Sequence, residues 1–206
     1  MSQIRRAPSG AERRRDAERT QQALLDAALA EFAAKGLAGA RVQDIADRAG
    51  VNKQLISYYF GGKQGLYDAI VEHWLEQERA MADPAIDLGE LTCRYLAVAH
   101  DHPDLQQLFL RENLEAELGR IAHEPDDPDL VEFRRRQEAG ELAADLDPAF
   151  VLLVLQAAVS IGSLFRRDVR RYLGLDPSSE EYRDFAAEQL RRLIRHLGPP
   201  PPQQPG

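Results

Sequence analysis

Residues 41–60 have the sequence RVQDIADRAGVNKQLISYYF, which has the pattern of two short helices joined by a tight turn. Gly50 can adopt the left-handed conformation that a tight turn requires. Asn52 is a good N-cap for a second helix that runs through Tyr59. Apolar residues before the glycine recur at three- and four-residue spacing and predict a first helix whose buried face is formed by Val42, Ile45, Ala46 and Ala49.

The second of these short helices has an inner and an outer face. Ile56 and Phe60 lie four residues apart and are expected in the core, with the polar side chains facing outward. Lysine and glutamine can bind base edges in the major groove, and tyrosine hydroxyls and Lys63 can bind phosphates. This predicts a helix-turn-helix, with an ordinary helical hairpin as the alternative. The candidate DNA contacts are Arg41, Gln43, Lys53, Gln54, Ser57, Tyr58, Tyr59 and Lys63.

Charge is distributed unevenly along the 206 residues. The whole chain has a net charge of −8, which divides into +4 for residues 1–65 and −12 for residues 66–206. This asymmetry favours two bodies with different partners, and a basic disordered arm before an acidic domain is the alternative. The single cysteine, Cys93, suggests a reducing compartment, and neither a secretory signal nor a membrane span is visible. We therefore expect a cytoplasmic protein.

Every periodic segment favours helix, and no alternating apolar run predicts a strand. An amphipathic helix ends at Lys35-Gly36, and Asp-Pro or His-Pro pairs mark later helix starts. The pattern predicts an all-α fold of about nine helices, including 84–100, 103–120, 128–140, 148–172 and 178–197. The predicted domains are a basic flexible arm (1–15), a helix-turn-helix domain (16–62), an effector-binding and dimerisation domain (63–198) and a disordered proline-rich tail (199–206).

The N-terminal part of the chain resembles the TetR family of bacterial transcriptional regulators. The resemblance covers residues 20–75 and rests on the first helix ending FAAKG at 32–36, the segment DIADRAGV at 44–51 and the segment YYFGGKQGL at 58–66. It implies a homodimer with an N-terminal DNA-binding head and a C-terminal helical body that often binds a small effector. Arg41 replaces a common Thr or Ser, and Ser57 stands where an aromatic residue is frequent, so the operator sequence cannot be inferred.

The body suggests two further sites. The helix after Pro148 is apolar almost all round, which predicts burial on more than one side. By resemblance, it and the last helix pair with their symmetry mates, although completing a monomer core is the alternative. The predicted interface residues are Phe150, Val154, Ala158, Ile161, Phe165, Phe185, Leu193 and Leu197. The candidate effector pocket is lined by Trp74, Tyr95, Phe109, Asn113, Gln156 and Phe165, each of which also suits ordinary core.

Catalysis is not indicated by the sequence. There is no nucleophile–base pair, glycine-rich phosphate loop or cysteine cluster. His100 and His102, with Asp101 and His123, suggest a metal site only weakly, because residues two apart on a helix point away from each other. We expect no enzyme activity, no cofactor and no metal. The basic residues Arg5, Arg6 and Arg13 to Arg15 either contact DNA or form a solvated tail.

These observations converge on a DNA-binding regulator. We expect a repressor that binds a palindromic operator in double-stranded DNA as a homodimer and is released by a small-molecule effector of unknown identity. No membrane partner is expected. The alternatives are an effector-independent regulator or activator, and a helical sensor or scaffold that does not bind DNA.

Overall fold

The computed structural model describes residues 10–81, 83, 85–116, 122 and 124–198. Over these residues the chain forms helices and contains no strand, so the all-α prediction is confirmed. Eleven helices replace the predicted nine or so in the described part of the chain. They are α1 (Gly10–Gly39), α2 (Val42–Ala49), α3 (Gln54–Phe60), α4 (Lys63–Met81), α5 (Leu88–Asp101), α6 (Pro103–Glu115), α7 (Pro128–Glu138), α8 (Pro148–Val159), α9 (Ile161–Leu164), α10 (Arg166–Leu173) and α11 (Glu180–Leu197).

The chain divides into two compact units. The first consists of Met1–Glu78 and Gln107–Leu114, and the second of Arg79–Gln106 and Glu115–Gly206. Most of α4, which the sequence analysis assigns to the C-terminal domain, therefore clusters with the N-terminal unit. Helix α6 is shared, because its first turn lies in the second unit and its remaining turns lie in the first.

The first unit is built on a small aliphatic and aromatic core. Helix α1 supplies apolar side chains at the predicted spacing, and α2, α3 and α4 each add fully buried side chains. These fully buried core residues are Leu24, Ala28, Phe32, Ile45, Ala46, Ile56 and Leu66. The predicted end of the first helix at Lys35-Gly36 is confirmed as a break, since Gly36 has φ 71° and ψ 166° although helical bonding resumes as far as Gly39.

The second unit packs α5 against α11 and α7 against α8. Its core contains Leu88, Phe133, Leu142, Val151, Leu155 and Ile194. Arg136 of α7 is also buried, with 1% of its surface exposed. Its Nη1 atom donates to the carbonyl oxygen of Ile86 at 3.0 Å and to the Glu141 carboxylate at 3.0 Å, so the buried charge is paired.

The helix starts predicted from Asp-Pro pairs are correct at two positions. The side chain of Asp127 accepts from the N–H groups of Asp129 and Leu130, and that of Asp147 accepts from Phe150. In both cases a proline occupies the first turn, as expected.

Two other predicted starts are wrong. Helix α5 begins after Asp87 and not after Asp83, because the Asp87 carboxylate caps the Glu90 N–H at 2.8 Å; Pro84 lies outside the described residues. Helix α11 begins after Ser179, whose hydroxyl accepts from Tyr182. In each case a capping residue downstream of the Asp-Pro pair takes the N-cap position.

The predicted single helix over 148–172 is also wrong. The chain forms α8, α9 and α10, with interruptions at Ser160 and Phe165. The Ser160 hydroxyl donates to the Gln106 side chain at 3.0 Å, which ties this interruption to the first turn of α6. Elsewhere in the body, α6 stops at Glu115 and α7 at Glu138, earlier than predicted.

The arm and tail lie largely outside the described residues, which exclude 1–9 and 199–206. The predicted flexible arm is nevertheless too long, since residues 10–15 belong to helix α1. No described helix has the length and apolar character needed to cross a membrane.

Candidate nucleic-acid interface

A tight glycine turn connects α2 to α3. Gly50 has φ 69° and ψ 29°, the left-handed conformation predicted for it. The N–H of Val51 donates to the carbonyl oxygen of Ala46 at 3.0 Å, closing the end of α2. The side chain of Asn52 accepts from the N–H of Gln54 at 2.9 Å, which confirms its capping role at the start of α3. The two helices are thus joined as the sequence predicts.

Helix α3 presents the predicted polar face to solvent. Ile56 is fully buried and Phe60 half-buried, so both face the core side. Tyr58 is 77% exposed, and Tyr59 packs edge-to-face against it with ring centroids 4.9 Å apart. The exposed residues around Tyr58 are Lys53, Gln54 and Ser57. This surface can donate hydrogen bonds to base edges and to phosphates without disturbing the core.

Two predicted contacts lie on or before α2. Arg41 occupies the N-cap position, is exposed and makes no side-chain capping bond, as expected for an arginine where Thr or Ser is common. Gln43 is exposed, and its Nε2 atom donates to the Asp47 carboxylate at 2.7 Å. A side-chain amide has a second N–H and a carbonyl oxygen, so Gln43 can contact DNA while it keeps this bond.

Lys63 has a role in the head that sequence reasoning missed. Its ammonium donates to the carbonyl oxygens of Ala38 at 3.2 Å and Ala40 at 3.1 Å, which ties the start of α4 to the connection between α1 and α2. An ammonium has three donors, so one remains for a phosphate. No sequence signal pointed to this role, because the bonded groups are backbone carbonyls more than twenty residues away.

An ion-pair cluster fixes α2 against α1. The Lys35 ammonium contacts the carboxylates of Glu31 and Asp44, the latter at 2.8 Å. The hydrogen bond from Lys35 holds the pKa of Asp44 below its ordinary value, and the bond to Asp44 raises the pKa of Lys35. Both groups therefore stay charged at neutral pH.

Only part of the basic arm falls within the described residues. Arg14 and Arg15 are exposed on the first turns of α1. Arg5, Arg6 and the side chain of Arg13 lie outside the described residues. A DNA contact by this arm stays a prediction.

The predicted effector-pocket residues are not gathered in one place within either unit. In the first unit Trp74 and Phe109 pack together with ring centroids 6.0 Å apart, while Asn113 is exposed and bonds to the carbonyl of Phe109. In the second unit Tyr95 is half-buried, and Gln156 and Phe165 are exposed.

Most of the predicted interface residues are apolar side chains that the single chain leaves exposed. Within the single chain, α8 buries only Val151 and Leu155. The prediction that this helix is buried on more than one side is therefore not fulfilled within a single protomer. Ala158 and Leu197 are half-buried. Phe150 is 66% exposed and Leu193 59% exposed, and the other exposed members are Val154, Ile161, Phe165 and Phe185.

The weak histidine signal has a structural explanation at His100. Its ring nitrogens lie 3.1 Å from the Asp101 carboxylate and 3.1 Å from the carbonyl oxygen of Ser179, which joins α5 to the start of α11. His102 is exposed, and His123 lies outside the described residues. Among the described residues no three His, Cys, Asp or Glu side chains are grouped as metal ligands.

The head geometry defines a class of protein. An α2–α3 pair that buries Ile45, Ala46 and Ile56, turns at a left-handed glycine and exposes a Lys, Gln and Tyr face is a helix-turn-helix DNA-binding domain, here attached to a separate helical unit. A family model described as "Bacterial regulatory proteins, tetR family" matches residues 24–70. The HTH-type transcriptional repressor SCO4008 of Streptomyces coelicolor is 32% identical over 194 residues, which cover 87% of this chain and 97% of that protein.

Other relatives agree with this assignment. The HTH-type transcriptional regulator RutR of Escherichia coli K12 is 28% identical over 84% of this chain and 87% of its own length. The crystal structure of the putative transcriptional regulator SCO4942 from Streptomyces coelicolor superposes with a TM-score of 0.67 at 28% identity, covering 88% of this chain and 99% of that one. The chain belongs to the TetR family, and it is a DNA-binding transcriptional regulator and not an enzyme.

Proposed function

We propose that this regulator is a repressor that binds a palindromic operator as a homodimer and releases it when a small molecule binds within residues 63–198. The observation that carries the DNA-binding part is the exposed face of α3, held by a fully buried Ile56 and a capped, glycine-based turn. The similarity to a transcriptional repressor along nearly the whole chain supports repression. Because the partner is chromosomal DNA, we expect the protein in the cytoplasm.

Within this proposal the two α3 helices enter successive major grooves, about 34–36 Å apart. Lys53 and Gln54 lie at the start of α3 and contact base edges, while Ser57 is too short to reach deeply. Arg41, Tyr58, Tyr59 and Lys63 contact phosphates, and Gln43 joins them through its second amide N–H.

The exposed apolar side chains of α8, α9 and α11 support the homodimer. Large apolar side chains are costly to leave in water, and surfaces rich in them mark protein interfaces. Phe150 and Leu193 are the most exposed of the predicted interface residues. Sedimentation velocity of the full chain should give a dimer at micromolar concentration. A monomer there would exclude this form of operator binding.

The decisive experiment is in-vitro selection of bound genomic fragments with the full chain. We expect a palindromic consensus whose half-sites are one helical turn apart. Lys53→Ala and Gln54→Ala should change the preferred bases, whereas Arg134→Ala on α7 should return the wild-type consensus. The same consensus from all variants would remove Lys53 and Gln54 from the base-reading set. Failure to enrich any palindrome would count against specific operator binding.

The packed pair of Trp74 and Phe109 supports an effector site beside α4 and α6, in the region where the sequence suggests a pocket. Trp74 is the single tryptophan of the chain, so its fluorescence reports on this site alone. Candidate small molecules should change this emission and lower operator affinity together, and Phe109→Ala should weaken both responses. A molecule that releases DNA without changing the emission would place the effector elsewhere.

Helix α6 offers a route from an effector to the head. It contributes to both units, and Arg111 on its later turns donates to the carbonyl oxygen of Ala34, near the end of α1, at 3.3 Å. An effector can shift the DNA affinity only by its differential affinity for the two states. Arg111→Ala should leave effector binding intact and reduce the coupling. An effector-independent regulator or activator would show no coupling with any ligand.

A further inference from the structure

Four arginines lie within one eight-residue helix of the second unit. Helix α10 carries Arg166, Arg167, Arg170 and Arg171, and all four are exposed. Their spacing places two pairs four residues apart, the separation at which like charges on a helix repel each other. The cluster also stands out because residues 66–206 have a net charge of −12. Repulsive cations on one short helix indicate a surface suited to an anion.

The arginines line a surface concavity of about 430 Å³ together with Asp176 and Pro177. The concavity is shallow and open to solvent, so it suits a small hydrated anion held by charge and not a ligand that must be enclosed. The lining carries a net charge of +3, from four arginines and one aspartate. A nucleic-acid backbone needs an extended track of cations, whereas this cluster is confined to two turns of a helix. A compact anion therefore fits the surface better than DNA.

Part of the cluster is held in place before any ligand binds. Arg170 is hydrogen-bonded to the carboxylate of Asp176, and that carboxylate also accepts from the N–H and hydroxyl of Ser178 at 3.0 and 2.6 Å. Arg171 lies over the ring of Tyr172, 5.4 Å from its centroid. Fixed guanidinium groups lose less conformational entropy when they bind a ligand.

Arg167 remains available to a ligand. Its side chain is 87% exposed, and its Nε atom lies 3.7 Å from the Asp168 carboxylate, beyond a normal hydrogen bond. A guanidinium presents five donors in a planar fork that matches the oxygens of a phosphate or carboxylate. The surface thus combines anchored guanidinium groups with one whose donors are largely free.

We propose that the α10 arginine cluster binds a small polyanion with two or more closely spaced phosphoryl or carboxylate groups. The site belongs to the second unit and does not depend on the DNA-binding face of α3. Anion binding stabilises the folded second unit by mass action, and the stabilisation grows with the logarithm of the anion concentration once this exceeds Kd.

Isothermal titration of the full chain with inorganic pyrophosphate, and separately with citrate, tests the proposal at ionic strength held constant with NaCl. We expect one site per protomer. Arg166→Gln/Arg167→Gln should weaken binding at least tenfold. Arg134→Gln/Arg135→Gln removes the same charge from two adjacent exposed arginines of α7 and should change the affinity less than twofold. If only pyrophosphate binds, the site takes phosphorylated ligands. If both anions bind, the site accepts phosphoryl and carboxylate groups alike.

Three outcomes would overturn the proposal. The first is no heat above that of NaCl with either anion. The second is an equal loss of affinity in both variant pairs, which would indicate general attraction to charge. The third is weaker operator binding by the α10 variant with an unchanged affinity for both anions, which would assign these arginines to DNA. Circular dichroism and operator binding by the variants separate a loss of this site from a loss of fold or of DNA recognition.

Discussion

Lys63 provides the sharpest test of the head, because the structure gives it two separable roles. Lys63→Ala removes hydrogen bonds to the carbonyl oxygens of Ala38 and Ala40. A buried hydrogen bond from a charged donor contributes roughly 1.5–3 kcal/mol, and because Lys63 is half-buried we expect a total loss of only about 1 kcal/mol in the free energy of unfolding. Urea denaturation of the full chain measures this change.

The second role concerns the remaining donor of Lys63. Each phosphate contact contributes about 0.9 to the slope of log affinity against log salt, so a dimer with two Lys63 contacts should lose about 1.8. Raising the salt from about 50 to 200 mM should therefore weaken operator binding about 12-fold less in Lys63→Ala than in the wild-type chain. Fluorescence anisotropy with the selected operator measures the slope at three or more salt concentrations.

The control for this experiment is Arg134→Ala, which removes the same charge from α7 in the second unit. Its slope should match that of the wild-type chain. An unchanged slope in Lys63→Ala would show that Lys63 does not contact phosphate. An unchanged urea midpoint would show that its bonds to the backbone do not stabilise the head. The two results are independent, so either role can be refuted alone.

Three single features of the fold carry further predictions. Gly50→Ala forces a left-handed φ of 69° on an L-residue and should destabilise the head by about 1 kcal/mol, whereas Gly39→Ala, whose added Cβ meets only Lys35 Cβ at 3.5 Å, should not; equal thermal midpoints would contradict this. The hydrogen bond from Lys35 lowers the pKa of Asp44 in the folded chain, which contributes stability above the unfolded pKa. This stability is lost as pH falls through the folded pKa, so Asp44→Asn should flatten the acid limb of a melting-temperature profile; parallel profiles would refute it. Leu193→Glu should yield a folded monomer by sedimentation, and a persistent dimer would place the interface elsewhere.

The local geometry of the head could be predicted from the sequence because short-range interactions determine it. The left-handed Gly50, the Asn52 cap and the division of α3 into a buried Ile56 side and an exposed polar side all depend on residues within one or two turns of each other. The partition of charge along the chain likewise distinguishes a basic head from an acidic remainder, because it needs only the order of the residues.

Helix boundaries in the second unit were less predictable. Every Asp-Pro pair has the chemistry of a helix start. After Asp83 and Asp176, however, the helix begins a few residues later, where Asp87 and Ser179 provide the N-cap. The apolar run after Pro148 predicts one continuous helix. No pattern within the run predicts the interruption at Ser160. That interruption is accompanied by a hydrogen bond to Gln106 on another helix, a partner 54 residues away.

The all-helical class, the helix-turn-helix and the polar face of α3 follow from periodicity, capping and glycine conformation, all of which can be read along the chain. The tertiary fold alone brings Lys63 to backbone carbonyls, pairs the buried Arg136 with Glu141, and places the arginines of α10 around one concavity with Asp176. These contacts are not encoded by any short-range pattern. Their formation depends on how the chain positions its packed helices and the turns between them.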